Sequence, residues 1–294
     1  EMQRSLVGSE MCIRDSPEAG NQSCKIFSAK GCLCDMISIE KRKTVETNMY
    51  QYLLWDIDGT VLDFLASEAH AVRALFQKYR LGACSDDMLR LYSEINVRYW
   101  EALERNEMTK PEILVGRFQT FFERIGVDPA LAESFNRDYQ VALGDHLVFV
   151  DHAEEMLRAE KGVYTLIAVT NGTKVAQTKK LRRSGLDRLF DAVFISEDVG
   201  CEKPNLAYFE HVFSEAGIAD KSRVLLIGDS LTSDMKGGWT AGVDTCWYNP
   251  KHSPNRLHIP VTYEIDDLGK LAEILSAAGT PADRPRAVES QWER

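Results

Sequence analysis

At 294 residues and 44% hydrophobic, the chain can hold one large domain, or a core domain with a smaller companion. Its formal net charge of −10 argues against the broad basic footprint of a nucleic-acid binder, although a local basic pocket for one phosphate group stays compatible with it. No run approaches the roughly 18 apolar residues of a membrane span, and the seven cysteines form no C-x-x-C pair. Reduced thiols and a cytoplasmic location are therefore expected, with no membrane and no nucleic-acid polymer as partner.

Residues 1–48 show no sustained apolar periodicity, hold four of the seven cysteines and lack the apolar stretch of a signal peptide. Acids and bases balance there at seven each, unlike a transit peptide, and the opening SLVGSEMCIRDS resembles translated adaptor sequence. A disordered or non-native extension is expected over 1–48.

The next stretch organises the chain. An apolar run, Leu53-Leu54-Trp55, ends abruptly in Asp56-Ile57-Asp58-Gly59-Thr60, which predicts a buried strand feeding a turn. Alternate strand residues share a face, so Asp56 and Asp58 would project together from the strand's C-terminal edge, where open α/β sheets bind ligands. Two adjacent carboxylates imply either a shared proton or a hard divalent cation such as Mg²⁺. A solvated acidic turn is the plainer alternative.

From Leu65 to Ala142 every periodic segment reads as helix. Ala69, Val72, Leu75, Phe76 and Tyr79 form one stripe, and Leu89, Tyr92, Asn96, Tyr99 and Leu103 a second. Thr109 to Glu112 is a capping box opening a helix with Leu114, Phe118, Phe121 and Ile125 on one side, and Asp128-Pro129 starts a fourth helix. Most of these aromatics are expected in the core of a helical unit.

After Asp151 the pattern alternates. Helix 151–160 and strand 163–169 are followed by a basic helix 174–183, strand 191–195 and a helix over 206–216. Strand 223–227, helix 233–241 and strands 243–248 and 261–265 complete the series. This predicts an α/β fold, a Rossmann-like parallel sheet core over 49–64 and 146–275, with a helical unit over 65–145 inserted after the first strand. The polar segment 276–294 is expected to be a disordered tail.

Three further segments end strands on the edge that carries Asp56. Thr170-Asn171-Gly172 offers a hydroxyl, an amide and a glycine ahead of a helix N-terminus, suited to phosphate oxygens; it also reads as an ordinary turn. Lys203-Pro204 fixes a lysine at a helix start. Gly228-Asp229-Ser230, with Asp234 following, brings two more carboxylates, which could equally cap the next helix.

In this order Asp56-x-Asp58-Gly-Thr, Thr170-Asn171, Lys203-Pro204 and Gly228-Asp229-x(4)-Asp234 resemble the four signatures of the haloacid dehalogenase-like phosphatase superfamily, over about Met49 to Leu275. The helical insertion resembles that superfamily's C1-type cap, and VTNG, ISEDVGCEKPN and RVLLIGDSLTSD resemble its pyrimidine 5'-nucleotidase branch. The resemblance implies Asp56 as nucleophile, Asp58 as acid and base, Thr170, Asn171, Gly172 and Lys203 as phosphate binders, and Mg²⁺ held by Asp56, Asp58, Asp229 and Asp234. It implies a nucleotide phosphomonoester as substrate, with phosphoglycolate, a sugar phosphate or a phosphomutase reaction as alternatives. A receiver-like signalling module is disfavoured, because its phosphorylated Asp lies on a later strand than its acidic pair. In the cap, Trp100 and Arg117 are the candidates for contact with the leaving group. Cys201 and Cys246, with no histidine beside them in sequence, are not expected to be catalytic.

Overall fold

The computed structural model describes residues 49–277; the expectations for 1–48 and 278–294 lie outside those residues. Six strands pair in parallel in the order β3–β2–β1–β4–β5–β6: β1 Tyr52–Trp55, β2 Thr165–Thr170, β3 Ala192–Ile195, β4 Val224–Gly228, β5 Asp244–Tyr248 and β6 Tyr263–Ile265. The expected strands are all present, most of them starting one or two residues later than read from sequence. Leu53 stands level with Leu166 on one side and Leu225 on the other, so β1 lies at the centre of the sheet. The chain builds outward from β1 through β2 to β3, then returns to the opposite side of β1 for β4. That reversal opens a crevice at the C-terminal ends of β1 and β4, the usual ligand position in such sheets.

Between β1 and β2 lie five α-helices, of which the first four form the helical block: α1 Phe64–Lys78, α2 Asp86–Glu104, α3 Lys110–Ile125 and α4 Ala132–Ala142. Their starts follow from local chemistry. Asp63 accepts from the Ala66 N–H and Ser85 from the Met88 N–H, while the Thr109 N–H donates to the Glu112 carboxylate at 2.7 Å as the capping box requires. Phe76, Tyr92, Phe118, Phe121, Phe122, Phe135 and Tyr139 pack into one buried cluster, with Tyr92 stacked on Phe118 at 4.9 Å. Burial of such a side chain contributes roughly 1.5–3 kcal/mol, and a ring pair adds about 0.5–1.5 kcal/mol. The α3 stripe differs from the expected one: Ile113, Arg117, Phe118, Phe121 and Phe122 are buried, while Leu114 and Ile125 are only half-buried. The stripe turns by one residue because Arg117 finds polar partners inside, Asn96 and Asn136.

The remaining helices are α5 Ala153–Glu160, α6 Lys174–Ser184, the single turn α7 Ser196–Val199, α8 Leu206–Glu215, α9 Lys236–Ala241 and α10 Leu271–Ser276. Both sheet faces are covered. Leu53 and Trp55 pack with Leu157 and Leu271 on one face; Leu54 packs with Tyr208, Phe209 and Val212 on the other. The helix expected over 233–241 is shorter, because Leu231–Met235 forms a π turn ahead of α9 that holds Asp234. Ser276, expected in the tail, is the last residue of α10.

Candidate active site

The site is assembled from strand ends. Asp56 follows β1 and its N–H donates to the Ile227 carbonyl of β4, which anchors it at the crevice. Gly59 turns the chain with φ +96°, and a Cβ there would lie 2.5 Å from Asp229 Oδ2, so the turn fits against β4 only with glycine. Thr60 Oγ1 lies 3.4 Å from Asp56 Oδ2 and 3.3 Å from Asp229 Oδ1. The Trp247 indole of β5 donates to the Asp229 carbonyl at 2.9 Å, which fixes the segment after β4.

Lys203 joins the motifs. Its Nζ donates to Asp56 Oδ1 and Asp234 Oδ1, both at 2.7 Å, and to the Val169 carbonyl at 2.9 Å. Burial alone would lower its pKa, but the carboxylates of Asp234 and Asp56 outweigh that and hold the ammonium above the usual lysine range. Asp56 is pushed well above the carboxylate range by burial, with Lys203 opposing and Asp234 and Asp229 adding repulsion. Asp229 opens onto the cavity but is otherwise surrounded by protein; that desolvation, with the charge of Asp234, pushes it up to about 7.

Asp56, Asp229 and Asp234 each offer an oxygen within 4.8 Å of the others. Three carboxylates beside one ammonium leave an excess of negative charge in a crowded site, which suits a hard divalent cation. Asp56 and Asp229 are the better donors. Both Asp234 oxygens are engaged, one by Lys203 and the other by the Ser230 N–H at 3.2 Å.

Thr170 ends β2, and its Oγ1 accepts from the Gly172 N–H at 3.2 Å, which leaves the hydroxyl proton free to donate. The Asn171 side chain does something other than expected. It receives the Lys203 N–H and donates to the Lys203 carbonyl, both at 2.8 Å, bracing one motif against the next instead of reaching toward a phosphate.

Asp56, Asp58, Thr170, Lys203, Asp229 and Asp234 line one cavity of about 360 Å³, and its far wall comes from the helical block through Trp100, Arg117 and Asn96. A family model described as haloacid dehalogenase-like hydrolase matches residues 50–242. The chain belongs to the haloacid dehalogenase-like hydrolase family. This hydrolase is 35% identical to the pyrimidine 5'-nucleotidase PynA of Streptococcus pneumoniae, over 77% of this chain and 95% of that protein. It is 30% identical to the pyrimidine 5'-nucleotidase YjjG of Escherichia coli, over 77% and 98%. The crystal structure of the HAD-hydrolase YfnB from Bacillus subtilis, bound to magnesium, superposes with a TM-score of 0.73 at 39% identity, over 77% of this chain and 99% of that one.

The hydrolase's cavity also holds residues that the sequence reading passed over. Gln177 and Lys180 of α6 both contact Asp58, within a segment read only as a basic helix; their i, i+3 spacing just after Thr170-Asn171-Gly172 was the available signal. Glu104, at the end of α2, overhangs the Asp234 segment; burial pushes its carboxyl up to about 7, and one of its oxygens has no hydrogen-bond partner. Arg117, already a candidate from the sequence, is 1% exposed and bonded to Asn96 and Asn136, and its Nε–H has no partner. Gln140 accepts from Thr173 Oγ1 at 2.7 Å, linking α4 to the loop after β2. Cys246 is buried and Cys201 half-buried; both are free thiols whose pKa burial raises, which makes them poor nucleophiles. Among the described residues no helix is long and apolar enough to cross a membrane.

Proposed function

We propose that this hydrolase cleaves phosphomonoesters with Mg²⁺ through an aspartyl-phosphate on Asp56, and that its substrates are pyrimidine nucleoside 5'-monophosphates. The observation that carries the reading is the meeting of Asp56, Asp58, Thr170 and Lys203 with the Asp229–Asp234 pair in one cavity at the ends of separate strands. A nucleophile, an acid and base, phosphate-binding donors and a cation-binding carboxylate group are then within reach of one phosphorus.

In the first step an Asp56 oxygen attacks phosphorus and the ester P–O bond breaks. Asp58 gives its proton to the leaving oxygen. In the second step water attacks the phosphoryl group, Asp58 takes its proton, and inorganic phosphate leaves with Asp56 restored. Lys203 orients Asp56 and offsets the charge that accumulates on the transferred group. The Thr170 hydroxyl donates to a phosphoryl oxygen. Asp56 and Asp229, with the Asp58 carbonyl, would hold Mg²⁺, and Asp234 would support them through Lys203 and Ser230. When bound, the ion supplies charge neutralisation at the phosphoryl oxygens.

The substrate reading is supported by PynA and YjjG and by the wall opposite the phosphate site. We read the block from Phe64 to Ala142 as a cap that excludes water and reads the leaving group. Trp100 offers a ring face for stacking, and the unpartnered Arg117 Nε–H suits a carbonyl edge of a base. The test is a panel of phosphomonoesters assayed for released phosphate with Mg²⁺ present. Pyrimidine monophosphates should exceed sugar phosphates and phosphoglycolate by at least about tenfold in kcat/KM, or ~1.4 kcal/mol of transition-state stabilisation. Preference for phosphoglycolate or a hexose phosphate would overturn the nucleotidase reading, and an isomer formed in place of free phosphate would indicate a mutase.

A further inference from the structure

Asp58 is held from an unexpected direction. Its Oδ2 accepts from Gln177 Nε2 at 2.6 Å and its Oδ1 from Lys180 Nζ at 2.5 Å, so both carboxylate oxygens are gripped by one face of α6. Gln177 and Lys180 are fully buried, whereas the Asp58 side chain keeps 21% exposure toward the cavity. Burying a lysine and a glutamine is costly unless both are bonded. Here their described side-chain hydrogen bonds run to the proposed acid and base, while Gln177 Oε1 has no hydrogen-bond partner.

Two neighbours couple this grip to the rest of the site. A Cβ on Gly172 would lie 2.1 Å from Gln177 Nε2, so the glycine of the loop after β2 makes the space that lets Gln177 reach Asp58. Lys180 Nζ also lies 5.2 Å from the centre of the Phe64 ring. Phe64 is the first residue of α1, where the chain leaves the sheet for the helical block. The grip therefore sits between the phosphate loop and the entrance to the helical block.

We infer that Gln177 and Lys180 are positioning residues for proton transfer. They hold the Asp58 carboxyl group in the one orientation that presents it to the leaving oxygen of a bound ester. The inference rests on Asp58 being the acid and base proposed above. Neither residue touches the phosphoryl group in this account, so their loss should be felt where the leaving oxygen needs a proton and much less where it does not.

The leaving group separates these cases. A nucleoside 5'-alkoxide departs poorly without a proton, while 4-nitrophenolate departs readily. Lys180→Met and Gln177→Met should lower kcat/KM for a pyrimidine nucleoside monophosphate by at least about tenfold, a part of the roughly 10²-fold or more that a positioned general acid contributes, and that for 4-nitrophenyl phosphate by less than about threefold. In an Asp58→Asn background neither substitution should cost more, because residues that act as one unit are not additive. Lys180→Arg should recover part of the loss. Gln177→Met leaves no buried charge unpaired, so it carries the same comparison should Lys180→Met fold poorly. Equal losses on both esters, or losses that add to that of Asp58→Asn, would show that the two residues only support the structure and would overturn the inference. If Asp58→Asn itself shows no leaving-group selectivity, the reading of Asp58 fails first, and the inference with it.

Discussion

Lys203 Nζ and Asp234 Oδ1 meet at 2.7 Å with both side chains 1% exposed, and the same ammonium reaches Asp56 at an equal distance. One buried cation thus separates the proposed nucleophile from a carboxylate that would otherwise repel it.

Removing that cation should cost both stability and turnover. Lys203→Met leaves two buried carboxylates uncompensated, a change worth about 3–5 kcal/mol of unfolding free energy. Adding Asp234→Asn to Lys203→Met should restore part of the stability and none of the activity. Urea denaturation with parallel phosphate-release assays checks this; a single variant as stable as the parent would place the negative charge elsewhere.

The carboxylate group predicts metal dependence that binding alone can show. Mg²⁺ should raise the melting temperature of the parent protein, because a ligand that binds only the native state stabilises it by mass action. Asp229→Asn should abolish that shift. EDTA should silence activity, with Mg²⁺ restoring it and Ca²⁺ failing, because Ca²⁺ prefers looser coordination and more ligands. A shift that survives Asp229→Asn would remove Asp229 from the metal site.

Glu160 makes stability depend on pH without touching the site. It ends α5 at 3% exposure, neither of its oxygens finds a hydrogen-bond partner, and burial pushes its pKa from 4.5 to about 8, with the nearby Trp55 indole offsetting only part of this. The native state therefore keeps a proton that the unfolded chain gives up. This contribution is fully present below pH 4.5 and is lost as pH rises through 8, with a slope of up to about 1.4 kcal/mol per pH unit. Glu160→Gln should remove that slope. A pH series of melting temperatures in which parent and variant run parallel between these values would contradict it.

Much of this architecture is legible in the chain because its signals are local. Leu53-Leu54-Trp55 running into Asp56 marks a strand and the proposed catalytic carboxylate at its end at once, and Val224–Gly228 ahead of Asp229 does the same for a proposed metal ligand. Thr109 and Glu112 announce α3 by their own chemistry. What could not be read depends on contacts between distant segments. Lys180 lies 122 residues from Asp58, and in sequence it is one more cation on a basic helix. The Asn171 side chain looked suited to phosphate oxygens because only the fold brings Lys203 to it. Arg117 turned inward, against the simple stripe, because Asn96 one helix earlier accepts its hydrogen bond at 2.6 Å.

The helical wall should affect binding more than chemistry. Trp100→Ala should raise KM for a pyrimidine nucleotide by about tenfold, near the low end of the ~1–3 kcal/mol that stacking of a base on an aromatic ring contributes, and leave methyl phosphate turnover unchanged. Arg117→Met should do the same and also lose stability by about 1–3 kcal/mol, since the buried Asn96 Oδ1 is left without its donor, while Asn136 Oδ1 keeps Gln140. A Trp100 variant with unchanged KM for nucleotides would remove stacking from the account.

The covalent role of Asp56 is tested most directly by stopping the reaction within milliseconds and reducing the quenched enzyme with borohydride. An aspartyl-phosphate at that position is converted to homoserine, which peptide mass spectrometry locates. The account predicts homoserine at position 56 only after incubation with a phosphomonoester, and none in Asp56→Asn. Steady turnover with aspartate intact at position 56 in every quenched sample, or homoserine at another aspartate, would contradict it.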